Sequence, residues 1–239
     1  MNDNSAGASM DEAIISPLLA TIPGIQHGFG CRKKNVPPSV APYWEQRATK
    51  RQVHGARVVQ VSEYCEDVGD ADGLITYQPG LVLSIPTADC IPVLLARVDG
   101  GAIAALHIGW RGAYEGIVHE FGGVLAGVGE DLSRWVAALG PCAQGCCYEV
   151  SEQLIDDFEQ KVKIPRAAFS PQPRKLSLTI IVQTQLNCIG VARHSNSGEC
   201  TICGTERVEG ASPRFHSYRR DAMRDPSKDL QYAAIVLAP

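Results

Sequence analysis

Cys90, His107 and His54 each lie beside a glycine, a turn or the end of an apolar run, positions where a reactive side chain can be presented. A thiolate and two neutral imidazoles are good zinc ligands, and three such ligands leave a fourth position open for water or substrate. Their wide spacing differs from that of structural zinc sites, which use close pairs to supply four ligands. Cys90 and His107 also suit a second chemistry, a thiol nucleophile with an imidazole base and an oxyanion received by the backbone N–H groups of residues 109–112. His54 separates the two: a three-ligand metal site requires it and a cysteine dyad does not. Elsewhere, Cys200-Thr201-Ile202-Cys203 has the spacing of a zinc knuckle, and Cys142, Cys146 and Cys147 offer three more sulfurs. A cysteine-only site requires those groups to converge; otherwise buried cysteine serves as a small apolar residue.

The elements that must position these residues are legible around residues 87–112. Two short runs rich in branched residues, 91–98 and 102–106, predict buried strands, and Asp99-Gly100-Gly101 predicts the tight turn of a hairpin. That hairpin places Cys90 just before one strand and His107 at the end of the other, at the same end of the pair. Further strands are expected at 24–30, 57–62, 74–77, 81–86, 135–139 and 230–238, and helices at 113–128, 148–163 and 176–189. Residues 31–50, broken by three prolines, and 194–210 read as loops. His27 reads as a packed or solvated residue, and the acidic turn Asp70-Ala71-Asp72-Gly73 as a solvated turn or cap. Strands and helices in this mixed order predict an α/β fold, a single domain of layered mixed β-sheets flanked by helices. Residues 1–23 are expected to form a flexible N-terminal segment and 24–239 the catalytic domain.

With 239 residues and 45% hydrophobic residues, the chain has the length and composition of one large globular domain. A formal charge of -4 argues against a broad nucleic-acid surface. No run approaches the ~18 apolar residues of a membrane span. Nine cysteines and a polar, acidic start without a secretory pattern fit reduced thiols in a cytoplasmic protein.

QVHG at 52–55, TADCIPVLL at 87–95, HIGWRG at 107–112, LGPC and CCYEV within 139–150, and SYRRD at 217–221 occur in the order seen in the laccase-domain, or multicopper polyphenol oxidase, family. The chain resembles that family over about residues 24–238. Members are also called peptidoglycan editing factors, and relatives act as zinc-dependent purine nucleoside enzymes. The resemblance implies a layered α/β fold, related to a toxin deamidase with a catalytic Cys and His. It also implies that His54, Cys90 and His107 hold a metal. Zinc is expected rather than copper, because six histidines cannot readily supply the ligands of a multicopper cluster. The implied activity is phosphorolysis of adenosine, inosine or methylthioadenosine, together with adenosine deamination, with small-molecule nucleoside and phosphate as partners. Cys90, His107 and Arg111 are the expected catalytic residues. Arg111 either forks onto phosphate or a developing anion or closes a structural salt bridge. Gln52, Arg219 and Arg220 are the expected substrate contacts, and Tyr148 and Glu149 are expected to open a helix. A Cys90–His107 amidohydrolase or peptidoglycan-precursor editor, and a non-enzymatic zinc-binding protein, are the alternatives. Ala143-Gln144-Gly145 stands where the family more usually has Ile-Gly-Pro, and this departure touches substrate preference rather than the metal ligands.

Overall fold

The two apolar runs at the centre of the chain form the hairpin their turn residues predict. In the computed structural model, which describes residues 12–204, 212–221 and 229–239, β7 (Ile91–Arg97) and β8 (Ile103–Ile108) pair antiparallel with Pro92 opposite His107. The turn closes through Gly100, whose φ of 74° suits glycine, while the Asp99 carboxylate accepts the Gly101 N–H at 3.0 Å. Around this hairpin the chain adds β1 (Ile25–Phe29), β2 (Thr49–Arg51), β3 (Val58–Gln60), β4 (Asp67–Asp70), β5 (Gly73–Thr76) and β6 (Val82–Thr87). After it come β9 (Trp135–Leu139), β10 (Arg193–Asn196) and β11 (Gln231–Leu237). The helices are α1 (Trp110–Glu115), α2 (Ile117–Gly127), α3 (Glu152–Lys161), α4 (Arg166–Phe169) and α5 (Leu178–Cys188).

A six-stranded mixed sheet runs β10-β9-β7-β8-β5-β3, a three-stranded antiparallel sheet runs β1-β11-β6, and β2 pairs with β4. Period-two alternation divides the large sheet between two cores. Val93, Leu95, Ala104 and Leu106 face the helices, where Phe121, Leu125, Phe158, Ile181 and Leu186 pack on them. Leu94, Ala96, Ile103 and Ala105 face the smaller sheet and meet Leu83, Ile85 and Ile235. The fold is therefore the expected mixed α/β arrangement of several sheets flanked by helices, with both faces of the central hairpin buried. None of the helices among the described residues is long and apolar enough to cross a membrane.

Helix starts follow local chemistry. Ser151 caps α3 by accepting the Leu154 N–H at 3.2 Å. The helical pattern at 113–128 is split at Gly116, which takes φ 98° between α1 and α2. The region 176–189, where strand propensity competes with helical spacing, resolves as α5 because Leu178, Ile181, Val182, Gln185 and Leu186 share one buried face.

Several expectations need correction. Tyr148 and Glu149 precede α3 rather than opening it; Glu149 forms an isolated bridge with Lys175. The strands expected at 74–77 and 81–86 form as β5 and β6, which join different sheets. The loop expected at 31–50 contains a 3-10 segment, Ala41–Gln46, and runs into β2, and β10 overlaps the start of the loop expected at 194–210. Residues 205–210 of that second loop lie outside the described residues, as do residues 1–11 of the expected N-terminal segment. From residue 12 that segment packs on the sheet: Ile14 bridges Phe29 and Leu19 is fully buried.

Candidate metal centre and active-site cavity

Strand register brings the three chemically distinctive residues to one end of the large sheet. Ile91 pairs with Ile108, which sets Cys90 beside the end of β8, where His107 lies. Gly73 pairs with Leu106 and with Val58, so the segments preceding β5 and β3 arrive at the same edge and carry Asp72 and His54 with them. One ligand atom from each of His54, Cys90 and His107 then lies within 4.8 Å of the others. The two imidazoles meet edge to face, with centroids 4.8 Å apart.

Asp72 organises this cluster. Its carboxylate accepts the backbone N–H groups of Val53, His54 and Gly55 at 3.2, 3.0 and 2.9 Å, and His107 Nδ1–H donates to it at 2.7 Å. Its backbone carbonyl accepts the His107 N–H at 2.7 Å. Burial works against the charge of Asp72, but the His107 ring and the Gly55 and Val53 N–H groups outweigh it and hold the carboxyl below the usual range. An ionised Asp72 keeps the His107 proton on Nδ1 and leaves Nε2 as the free donor atom. Burial also lowers His107 itself, favouring the neutral, ligating ring. His54 takes φ 62° and Asp89 φ 89°, left-handed backbone at non-glycine residues flanking the cluster. Such strain persists only where the surroundings impose it, here through Asp72 on the His54 side.

The Cys90 thiol is pushed up to about 12 by burial, with the charges of Asp89 and Asp72 adding to the effect. A cation at the cluster is the natural partner for its thiolate. Close approach is built from glycines. A Cβ on Gly109 would sit 3.2 Å from both Cys90 Sγ and His54 Cδ2, and one on Gly112 would sit 2.8 Å from the Gly55 carbonyl oxygen. Thus the HIGWRG segment is glycine-rich because α1 lies directly on the His54–Cys90–His107 cluster and its loop.

The cluster opens into a cavity of about 1090 Å³. Lys50, Trp110, Arg111, Tyr148 and Arg219 are among its walls, and Gln52 also lines it. Arg111 forms no ion pair among the described residues and stacks over Trp110 at 5.1 Å. Gln52 is committed to the scaffold: its amide donates to the Pro86 carbonyl at 3.0 Å and accepts from Lys50 at 3.1 Å. Arg219 donates to the Glu149 carbonyl at 2.7 Å and covers the Tyr148 ring. Arg220 is not brought to the cavity. Its guanidinium binds the carbonyls of Thr201, Ile202 and Phe215 and the Asp221 carboxylate, a structural clamp in place of the expected substrate contact. His27 is packed, accepting the Ser16 N–H at 3.0 Å.

Two contributors escape the sequence reading. Asp72, expected to be a solvated or capping turn residue, is fully buried; the available signal is that the chain enters the wholly buried strand GLIT immediately after it. Lys50 reaches the cavity and donates to the Ser84 carbonyl at 2.9 Å, and burial lowers it to about 8, partly offset by Asp72. Nothing in its local sequence marks it.

Residues 39–226 match the family described as multi-copper polyphenol oxidoreductase laccase. The chain belongs to this family. A purine nucleoside phosphorylase of Mycobacterium tuberculosis is 34% identical over 172 residues, covering 72% of this chain and 66% of its own. The chain thus spans just under two thirds of that relative's length. A purine nucleoside phosphorylase of Streptomyces coelicolor is 36% identical over 172 residues, covering 71% of this chain and 68% of its own. YlmD from Geobacillus stearothermophilus superposes with a TM-score of 0.76 at 24% identity, covering 94% of each chain. The Bacillus licheniformis hypothetical protein YfiH gives 0.73 at 20% identity, covering 89% of this chain and 92% of that one. These two solved structures share the fold.

Proposed function

We propose that this protein is a zinc-dependent enzyme that cleaves purine nucleosides with phosphate. The observation carrying this reading is the convergence of His54, Cys90 and His107 on a cavity of about 1090 Å³, roomy enough for a nucleoside and phosphate together. The relatives named purine nucleoside phosphorylase support the choice of substrate. Two imidazoles and one thiolate form a soft, open-sided donor set that fits zinc. A multicopper cluster needs more imidazoles, and only two histidines join the convergent groups among the described residues. When bound, zinc supplies Lewis acidity toward a substrate or phosphate oxygen.

The chain's own groups do the rest. Asp72 fixes the His107 ring and the His54 backbone, so the donor atoms need no rearrangement. Lys50 and Arg111 place positive charge where phosphate enters. Trp110, 36% exposed, offers a flat face to the purine. Burial holds the Tyr148 hydroxyl up at about 12, so it keeps its proton and donates a hydrogen bond toward the base. A phosphate oxygen bonds to the ribose C1′ as the C1′–N9 bond breaks, and the base leaves with that electron pair and takes up a proton. Adenosine deamination in the same cavity is the companion activity we propose.

The pairing of His107 with Asp72 also supplies the oriented base of a cysteine hydrolase, the second reading. His54→Ala separates the two. Under the nucleoside reading it abolishes both the metal held at this cluster and phosphate-dependent base release; unchanged turnover by metal-free protein would assign the chemistry to Cys90 and His107 instead.

A further inference from the structure

A second cluster lies beyond the cavity wall. Cys146, Cys147, Cys200 and Cys203 bring four sulfurs within 4.8 Å of one another, all of them free thiols. We propose that these four cysteines hold a structural zinc ion as a closed tetrathiolate site, separate from the His54–Cys90–His107 cluster. The inference does not depend on which reaction the cavity performs.

Cys146 Sγ and Cys203 Sγ are 3.7 Å apart. A tetrahedron with metal–sulfur arms of ~2.3 Å has edges of about 3.8 Å, whereas a disulfide brings its sulfurs to ~2.05 Å. The thiols are therefore spaced to share a cation rather than to bond with one another.

Buried free cysteine is readily explained as a small apolar residue, but Cys146 and Cys203 are exposed and Cys147 is half-buried, so apolar packing does not account for the gathering. The two segments are held in register by the backbone. Cys142 bridges Cys200, the Cys142 N–H donates to the Glu199 carbonyl at 3.2 Å, and the Thr201 N–H donates to the Cys142 carbonyl at 2.9 Å. The turn after Cys200 closes so tightly that a Cβ on Gly204 would lie 2.1 Å from the Cys200 carbonyl oxygen. Four sulfur ligands in tetrahedral array select zinc over hard cations and leave no position open for chemistry.

The site would brace the wall next to Cys90. Thr201 Oγ1 donates to Asp89 Oδ1 at 2.6 Å, the other Asp89 oxygen accepts the Arg219 N–H at 2.7 Å, and the Asp89 carbonyl accepts the Ala143 N–H at 2.9 Å. A metal joining the two cysteine segments would thus fix the strained residue that precedes Cys90.

The test uses the full chain isolated with reductant throughout. Zinc is counted in the His54→Ala, Cys90→Ser double variant, and iodoacetamide labelling of each cysteine is followed by mass spectrometry in that variant and in the unaltered protein, before and after a strong chelator. The expected result is one zinc per double-variant chain, with labelling of Cys146, Cys147 and Cys203 slowed by an order of magnitude or more until the chelator is added. Labelling at the same rate with and without chelator would overturn the proposal. So would protection that reductant alone removes, which would reveal a disulfide. Should the double variant fail to fold, the labelling pattern of the unaltered protein decides, since it reads each cysteine separately.

Discussion

Asp72 links the backbone of one ligand to the ring of another, and its removal should be felt at both. In Asp72→Asn the His107 proton is no longer fixed on Nδ1 and three N–H groups lose a charged acceptor. The metal affinity of the cluster should fall about 10- to 100-fold, and stability by about 1–3 kcal/mol; metal titration and urea unfolding measure the two effects separately. His27 makes a different kind of prediction. Burial lowers its ring to about 4, against 6.5 for the free side chain, so the unfolded chain binds more protons than the folded one between these values. Stability is then full above about pH 6.5, falls as the pH drops toward 4, and has lost about 3 kcal/mol there through this residue. His27→Gln, which keeps an acceptor for the Ser16 N–H, should flatten that part of the pH–stability curve; an unaltered slope would show that His27 is not responsible. At this scale the sequence is partly legible. The thiol and imidazoles are recognisable by type, but Asp72 looks like any turn aspartate until the burial of β5 is known, and Arg220 looks like a phosphate ligand until its donors are traced to carbonyls.

Elements, rather than spacing along the chain, bring the site together. The hairpin relating Cys90 to His107 can be read from two branched runs and an Asp-Gly-Gly turn, because antiparallel neighbours in sequence meet at a predictable end. His54 arrives by a parallel β3–β5 pairing and a crossover, and neither leaves a local signature. The glycine in α1 records the result: Gly112→Ala would drive a methyl group to 2.8 Å from the Gly55 carbonyl oxygen and displace either the helix or the His54 loop. We expect this variant to lose about 1–3 kcal/mol of stability and most of the cluster's metal, while Gly123→Ala, with open space around its Cβ, should be neutral or stabilising. Equal metal content in both variants, measured by elemental analysis, would contradict the close docking of α1 on the site.

On the scale of the whole molecule, two cores hold the large sheet between helices and a second sheet, and the site occupies the end where loops rather than core fill the space. The layered α/β class follows from the mixed order of runs and periods, but the distribution of strands among sheets does not, since β5 and β6 are consecutive strands with no pairing between them. Phe121 packs edge to face on Trp135 at 5.6 Å inside the helix-side core. Phe121→Ala should cost about 3–5 kcal/mol, lowering the thermal midpoint while leaving metal binding intact in the folded fraction. The central claim, that His54, Cys90 and His107 hold the zinc of a purine nucleoside enzyme, is tested most directly by assaying the purified chain and His54→Ala side by side. Zinc per chain and release of free base from inosine and adenosine, with and without phosphate, are measured on the same samples. The unaltered chain should release base only with phosphate, and His54→Ala should contain about one zinc fewer per chain and release none. Equal zinc in both proteins, or base release that survives in the variant, would contradict that claim.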